Sequence, residues 1–591
     1  MRIRGPKHSW RSRSTFRVLL WLVPLLGLLT ALSFGCLRTI PTETAASTDP
    51  PLFVDATEEV GLDFIHDAGA TGTYFMPQLM GSGAALFDFD GDGRLDLYLI
   101  QNGGPDSASK NRLFRQGKDG RFTDVSAGSG LDVSGYGMGV AIGDVNNDGW
   151  PDVFLTEYGR VRLFLNNGDG KSFTDITKEA GLDNVSWATS ACFVDFDRDG
   201  WLDLVFVNYL DYDPSRQCPG KGGKRDYCHP NTYPGAIPRL FRNLGRNGGA
   251  NAPHGVCFED VTVKSGLSQI PGPGLGVVCA DFNGDHWPDI FIANDSRPNR
   301  LWINQRDGTF KEEAVQRGIA YNGMGAAQAN MGVALGDVDG DGLFDVLVTH
   351  LSEETHTLWK QGPVGLFLDQ TAAAKLSAPR YRGTGFGTVL ADFDNDGKLD
   401  LAVVNGRVSR GNSADVAGLD PFWRPYAERN QLFANDGDGR FRDLSQENGP
   451  FCGSPAVSRG LACGDLRNDG GLDLLVTSIA GPARMYRNAL RERGHWVGIR
   501  AIDPVLRRDA YGAEITVRAG KHRWLRWINP GYSYLCSNDP RAHFGLGQVD
   551  RVDSIEIVWP DGNEESFPEQ AVDHYIELRK GSGKKISESR P

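Results

Sequence analysis

"DFDGDGRLDLYLI" (88–100) places Asp88, Asp90, Asp92 and Asp96 within nine residues and follows them at once with an apolar run. Carboxylates that close repel one another, so a counter-charge belongs among them. Oxygens at positions 1, 3, 5 and 9, with a main-chain carbonyl at 7, form the hard donor set that Ca²⁺ prefers; Mg²⁺, which demands a tighter octahedron, is second choice. Gly93 at position 6 lets the chain turn with positive φ. An EF-hand would carry Glu at position 12 and a helix after it, but Leu99 stands at 12 and the following run is of β type.

The pattern recurs six times. Asp144, Asn146, Asp148 and Asp152 fill it in "DVNNDGWPD"; Asp195, Asp197, Asp199 and Asp203 in "DFDRDGWLD"; Asp281, Asn283, Asp285 and Asp289 in "DFNGDHWPD". Asp337, Asp339, Asp341 and Asp345 fill it in "DVDGDGLFD"; Asp392, Asp394, Asp396 and Asp400 in "DFDNDGKLD"; Asp465, Asp469 and Asp473 in "DLRNDGGLD". The starts are 56, 51, 86, 56, 55 and 73 residues apart. Two loops are irregular: His286 replaces the glycine of the fourth, and Arg467 occupies a ligand position of the seventh. The expectation is five to seven structural Ca²⁺ ions. The loops hold 25 of the 75 acids, and seven divalent ions would bring the net charge from −13 to about +1.

A second element shares the period. "NRLFRQGKDGRFTDVSAGSGL" (111–131) and its counterparts at 161–182, 299–319 and 430–449 read strand, Gly-rich hairpin, strand, while a small-residue strand such as "GMGVAIGDV" precedes each acidic loop. One repeat is therefore a four-stranded blade. The fold expected is all-β, a seven-bladed β-propeller with Ca²⁺-binding loops over 52–488. The seventh repeat stops at "ARMYRN" (483–488), and its missing partner strand stands at the start of the chain as "LFVDATEEVGL" (52–62), which would latch the ring. The third repeat carries an insertion at 209–238 and the sixth another at 409–430; each is a binding loop or a cover over the ring. After Asn488 the period ends, and 489–580 reads as a small β-sandwich-like domain, with Asp561-Gly562 at a hairpin turn and a polar tail at 581–591.

Net charge −13 argues against a nucleic-acid binder. Residues 1–37 join a basic segment to an uncharged apolar stretch and read as an export signal, a lipoprotein signal or an uncleaved anchor; "LSFGC" makes Cys36 a candidate lipidation site. Residues 38–51 would be a flexible linker. All three fates place the rest on the cell envelope or outside the cell, with the membrane reached only through this segment or a lipid. In that compartment Cys218 and Cys228, within "CPGKGGKRDYC", are the most plausible disulfide, with Cys452 and Cys463 a second pair.

The blades resemble FG-GAP/VCBS repeats, and "RDAYGA" (508–513), "DPRAHFGLG" (539–547) and "WPDG" (559–562) resemble the ASPIC/UnbV domain. Together they are similar to the cartilage acidic protein family in a bacterial-type form, and the insertion "YCHPNTYPGAIPRLFRN" (227–243) resembles that family's third-blade loop. The resemblance implies a calcium-loaded extracellular propeller with a C-terminal β domain. No growth-factor-like module is read after it, so the partners of animal members are not carried over.

No catalytic constellation is read. "HLSEETH" (350–356) is not H-E-x-x-H and reads as a solvated loop; His543 reads as structural, and Trp524 and Trp527 as packing residues. The leading function is a recognition or adhesion module for a protein or glycan ligand. The alternatives are a calcium-dependent carbohydrate-active enzyme, such as a polysaccharide lyase, and a scaffold of an envelope assembly.

Overall fold

The computed structural model describes residues 50–586 except 221–222, 247, 249–253 and 414. Cys36, the targeting segment and nearly all of the linker lie outside the described residues.

Seven four-stranded antiparallel sheets follow one another along the chain. The first consists of Ala84–Phe87, Asp96–Leu99, Arg112–Gln116 and Phe122–Asp124, in that order from the axis outward. Each metal-type loop joins the first and second strands of its sheet. The first strands of the seven sheets contact one another in cyclic order, that of the seventh lying against that of the first. The seventh sheet, Ser458–Gly464, Asp473–Ser478 and Arg484–Asn488, takes its outer strand Phe53–Asp55 from the start of the chain, with Phe53 opposite Asn488 and Asp55 opposite Tyr486. Phe53 is fully buried against Phe393 and Phe451, so the borrowed strand is anchored by packing as well as by pairing.

Propeller packing explains the sequence pattern. A blade is covered on both faces by its neighbours, so strands such as Gly137–Gly143 and Asp152–Glu157 are buried throughout instead of alternately. Near the axis neighbouring strands crowd, and small residues are obligatory. A Cβ on Gly332 would lie 2.0 Å from the Phe386 carbonyl, and one on Gly83 would lie 2.4 Å from that of Leu535.

Residues 495–585 form two further sheets facing each other and a two-stranded one, Arg551–Val552 with Gln570–Ala571. Of the facing pair, one has His495–Asp503 at its centre, flanked by Ala542–Gly547 and, in parallel, by His574–Arg579; the other contains His522–Trp527, Glu514–Ala519, Ser554–Val558, Glu564–Phe567 and Lys584–Lys585. Val497, Ile499, Ile515, Val517, Phe544 and Ile557 fill the space between them. The last strand pairs with Glu565 and Ser566, so the polar tail begins later than its composition indicates.

The loop between Trp527 and Ala542 leaves this domain and enters the propeller axis. Ser533 and Val333 exchange backbone hydrogen bonds of 2.7 and 2.9 Å; Leu86 N–H donates to Ser537 O at 3.0 Å, Val140 N–H to Leu535 O at 3.2 Å, and Cys463 N–H to Asn538 Oδ1 at 3.0 Å. Tyr534 at its tip is fully buried, stacks edge-on against Phe386 at 4.9 Å, and donates its hydroxyl to Met80 O at 3.1 Å.

Met80 belongs to a cover over the opposite mouth. Residues 66–82 and both long insertions meet there: Trp187 packs on Tyr209 at 5.0 Å, Tyr426 Oη donates to Asp226 Oδ1 at 2.6 Å, and Arg410 binds the Tyr74 hydroxyl. Cys218 and Cys228 are disulfide-bonded within this cover. Beneath it Arg459, fully buried, donates to the carbonyls of Leu79, Gly406, Ser458 and Arg407 and lies 3.9 Å from the centre of the Phe386 ring. The insertions are therefore covers, and the axis is filled by the protein's own chain.

Three expectations are corrected. Cys452 and Cys463 are both buried and unpaired, one on a short helix and the other on the seventh sheet's inner strand. His350 and His356 are not solvated. His350 shares a hydrogen bond with Ala329 O, and His356 accepts one from His350 N–H; burial holds both neutral, at about 3 and about 4. The tail is shortened as described.

Candidate metal centres

Six of the seven loops share one hydrogen-bonded frame; in the fifth, Asp337 accepts from Gly340 and Gly342 instead. The carboxylate at position 1 accepts backbone N–H groups from the turn: Asp88 accepts from Asp92 and Gly93 at 3.0 and 2.9 Å, Asp195 from Asp199 and Gly200 at 3.1 and 3.0 Å, and Asp392 from Asp396 and Gly397 at 3.0 and 2.8 Å. Asp144 and Asp465 repeat it. The fourth loop keeps the frame without its glycine, because His286 adopts φ 67° and its N–H reaches Asp281 Oδ2 at 2.6 Å. That strained backbone costs on the order of 1 kcal/mol.

In the aspartate at position 9 the structure reveals a role that spacing alone did not show. Asp96 accepts Phe89 N–H on one oxygen and Gln116 N–H on the other; Asp152, Asp203, Asp289, Asp345 and Asp400 do the same with their own loop and third strand. It staples loop to sheet. The residue that ends the third strand stitches the sheets together: Asn166, Asn243, Asn304, Asn435 and Asn488 each donate from the side-chain amide to a loop carbonyl of the preceding repeat, at 2.7–2.9 Å. An Asn or Gln at that offset in every repeat was the available signal.

Among the described residues, four clusters bring three carboxylates within 4.8 Å of one another: Asp88, Asp90 and Asp96; Asp195, Asp197 and Asp199; Asp337, Asp339 and Asp345; Asp392, Asp394 and Asp400. Asp90 Oδ1 and Asp197 Oδ1 are buried with no hydrogen-bond partner. Burial, reinforced by neighbouring carboxylates, pushes Asp96 and Asp345 up to about 8, Asp144 and Asp195 to about 7 and Asp337 to about 6. Without a cation beside them Asp96 and Asp345 are mostly protonated at neutral pH and Asp144 and Asp195 only partly ionised. All-oxygen donors held by a rigid turn fit a hard divalent ion, calcium first. The second and fourth loops contribute an asparagine each, and Asn146 and Asn283 lie beside Asp148 and Asp285.

In the first, third and fifth loops Arg115, Arg242 and Lys360 reach the ligand carboxylates from the third strand, whereas in the seventh the cation stands at a ligand position of the loop itself. The Arg467 guanidinium lies 3.1 Å from Asp469 and 3.5 Å from Asp473, among the oxygens an ion would need, while Asp465 accepts the Tyr575 hydroxyl.

The C-terminal domain docks on this loop-bearing face. Arg508 donates to Asn147 Oδ1 in the second loop and Gly200 O in the third, Glu564 faces His286 of the fourth, Gly494 and Gly547 donate to carbonyls of the sixth, and His543 and Arg541 hold the seventh. His543 is thus a docking residue, held neutral at about 3 by burial, while Trp524 is buried in the domain core.

Parts of the chain are similar to known proteins. Family models for an FG-GAP-like repeat match residues 88–155, 144–206 and 281–348, and one described as ASPIC and UnbV matches 505–585. Cartilage acidic protein 1 of Xenopus tropicalis is 26% identical over 526 residues, covering 82% of this chain and 71% of that protein; the human protein is 26% identical over 523 residues, covering 82% and 70%. A rhamnogalacturonan lyase of Bacillus licheniformis is 12% identical, with 74% of this chain and 75% of that one covered at a TM-score of 0.36. The chain thus carries segments that match FG-GAP-like repeats and an ASPIC and UnbV domain, and it is similar over most of its length to cartilage acidic protein 1.

Proposed function

We propose that this chain is an extracellular calcium-binding recognition module that takes a glycan ligand on the cell envelope, where its N-terminal segment, or a lipid on Cys36, holds it. The observation that carries the reading is where open space remains. The axis is filled from one side by Tyr534 and covered from the other by the insertions, whereas a cavity of about 520 Å³ opens between the first two metal loops and the C-terminal domain. Calcium is structural in this reading: it neutralises the loop carboxylates on which the docked domain rests. Loops one to six hold ions, and the seventh carries its own cation, Arg467.

The full chain, incubated with a panel of purified polysaccharides in calcium or EDTA, should be retarded in affinity gels only with calcium and should release no ultraviolet-absorbing unsaturated product. Product formation would instead make it a lyase, a reading favoured by Arg500 and Arg508 lining the cavity beside the loops. A scaffold reading has less support, since one side of the C-terminal domain is already occupied by the propeller. The ion count has its own test. Arg467→Asn restores an oxygen donor and frees Asp469 and Asp473, and should add one calcium per chain by native mass spectrometry. An unchanged count would show that the guanidinium is not what excludes the ion.

A further inference from the structure

The cavity between the first two metal loops and the C-terminal domain is built from three kinds of group. Its floor is apolar, with Phe87, Ile142 and Leu202. Aromatic rings stand at its walls: Trp150 of the second loop, which reaches across to within 3.2 Å of where a side chain on Gly91 would start, and Tyr575, against which the Arg541 guanidinium stacks at 4.2 Å. Charges of both signs complete the lining.

The guanidiniums are the informative members. Arg508 is buried, yet its three hydrogen bonds all go to neutral oxygens, Asn147 Oδ1, Asp509 O and Gly200 O. Among the described residues no carboxylate forms an ion pair with it, and the negative charge of the loops beside it, which contribute Asp144 and Asp195, falls by two for each divalent ion held. Arg500 lines the same cavity with a half-exposed side chain, held by Asp509 at 2.6 Å. Two guanidiniums on one wall suit a ligand carboxylate, which they can grip through paired N–H donors. Asp509 and Glu577, also in the lining, can only accept when ionised, so they call for hydroxyl donors on the same ligand and disfavour a multiply charged anion such as phosphate. Apolar floor, aromatic walls and a volume within the usual range of about 300–1,000 Å³ for ligand pockets complete the requirement: a ring with an apolar face, several hydroxyls and one carboxylate.

We propose that this interdomain cleft binds a uronic acid unit of an acidic glycan, its carboxylate on Arg500 and Arg508 and its hydroxyls on Asp509 and Glu577. The assignment deepens the glycan-recognition reading and rests on it. The test titrates the calcium-loaded full chain calorimetrically with uronate-containing disaccharides, with lactose and with inorganic phosphate. The uronate disaccharide should bind at least about tenfold tighter than lactose, a difference of about 1.4 kcal/mol. Arg500→Gln and Trp150→Ala should each weaken it by about tenfold or more, with Arg500→Gln still unfolding in one cooperative thermal transition. Equal affinity for lactose, or phosphate binding as strongly as the uronate, would overturn the ligand class. Uronate binding undiminished in both variants would place the site elsewhere. Polysaccharide retention that persists in both variants would sink the cleft and leave the recognition reading standing, whereas no retention by the unmodified chain would sink both.

Discussion

Chelation of calcium from the folded chain lowers its stability by several kcal/mol and lowers it more at pH 8 than at pH 5. An ion bound at a hundredfold excess over its dissociation constant contributes about 2.7 kcal/mol, so three independent loops already supply about 8 kcal/mol. The pH dependence follows from the aspartates that burial pushes up: Asp337 to about 6, Asp144 and Asp195 to about 7, Asp96 and Asp345 to about 8. Their unfolded values lie near 3.8. Without calcium the folded chain binds more protons than the unfolded one, so this contribution to stability is complete below pH 4 and is lost as pH rises through 6 to 8. With calcium the ionised form is the bound form, and the loss is removed. Urea unfolding in EDTA and in calcium at the two pH values measures both effects. A midpoint indifferent to EDTA would refute the structural role of the ion.

The second large effect belongs to the axis. Tyr534→Ala removes a fully buried ring that touches Phe386 and reaches Met80 O, and should cost about 3–5 kcal/mol. Tyr534→Phe, which keeps the ring and loses only the hydroxyl's hydrogen bond, should cost about 1 kcal/mol. Because the residue belongs to the C-terminal domain but packs inside the propeller, its loss should also loosen docking. Tryptic cleavage at Arg491, in the segment joining the two, should then accelerate well beyond its rate in the unmodified chain. Unchanged unfolding and cleavage in Tyr534→Ala would mean that the loop merely occupies the axis.

Much of this molecule is written locally. An aspartate or asparagine at four fixed positions, broken only by Arg467, a glycine where the turn needs positive φ and the apolar run after it all act within one loop and its next strand, so repeat, blade and donor set are legible residue by residue. The borrowed strand was legible too, because a repeat lacking one strand and a chain start supplying it are both visible as pattern. The stitch between sheets left a trace too, in the Asn or Gln that ends each third strand, although its meaning depends on which loop carbonyl lies opposite.

What the local pattern could not decide is which parts meet at a distance. The loop from Asn529 to Arg541 has no periodicity that marks it as an axial plug; its role is set by the diameter of seven packed inner strands and by a Tyr534 that fits the gap they leave. The insertions became covers because Asp226 pairs with Tyr426 and Arg410 with Tyr74, 200 and 336 residues apart in sequence. Cys452 and Cys463 stay unpaired since the short helix and inner strand that carry them do not join their thiols. Arg467 acts as a cation in its own loop only because the fold turns its guanidinium inward. The sequence by itself determined the repeat, its blade and the oxygen donors, which depend on spacing along one short segment. The filled axis, the docked domain and the cleft between that domain and the loops were decided by the tertiary structure alone, because each depends on burial and charge pairing between segments that no spacing rule connects.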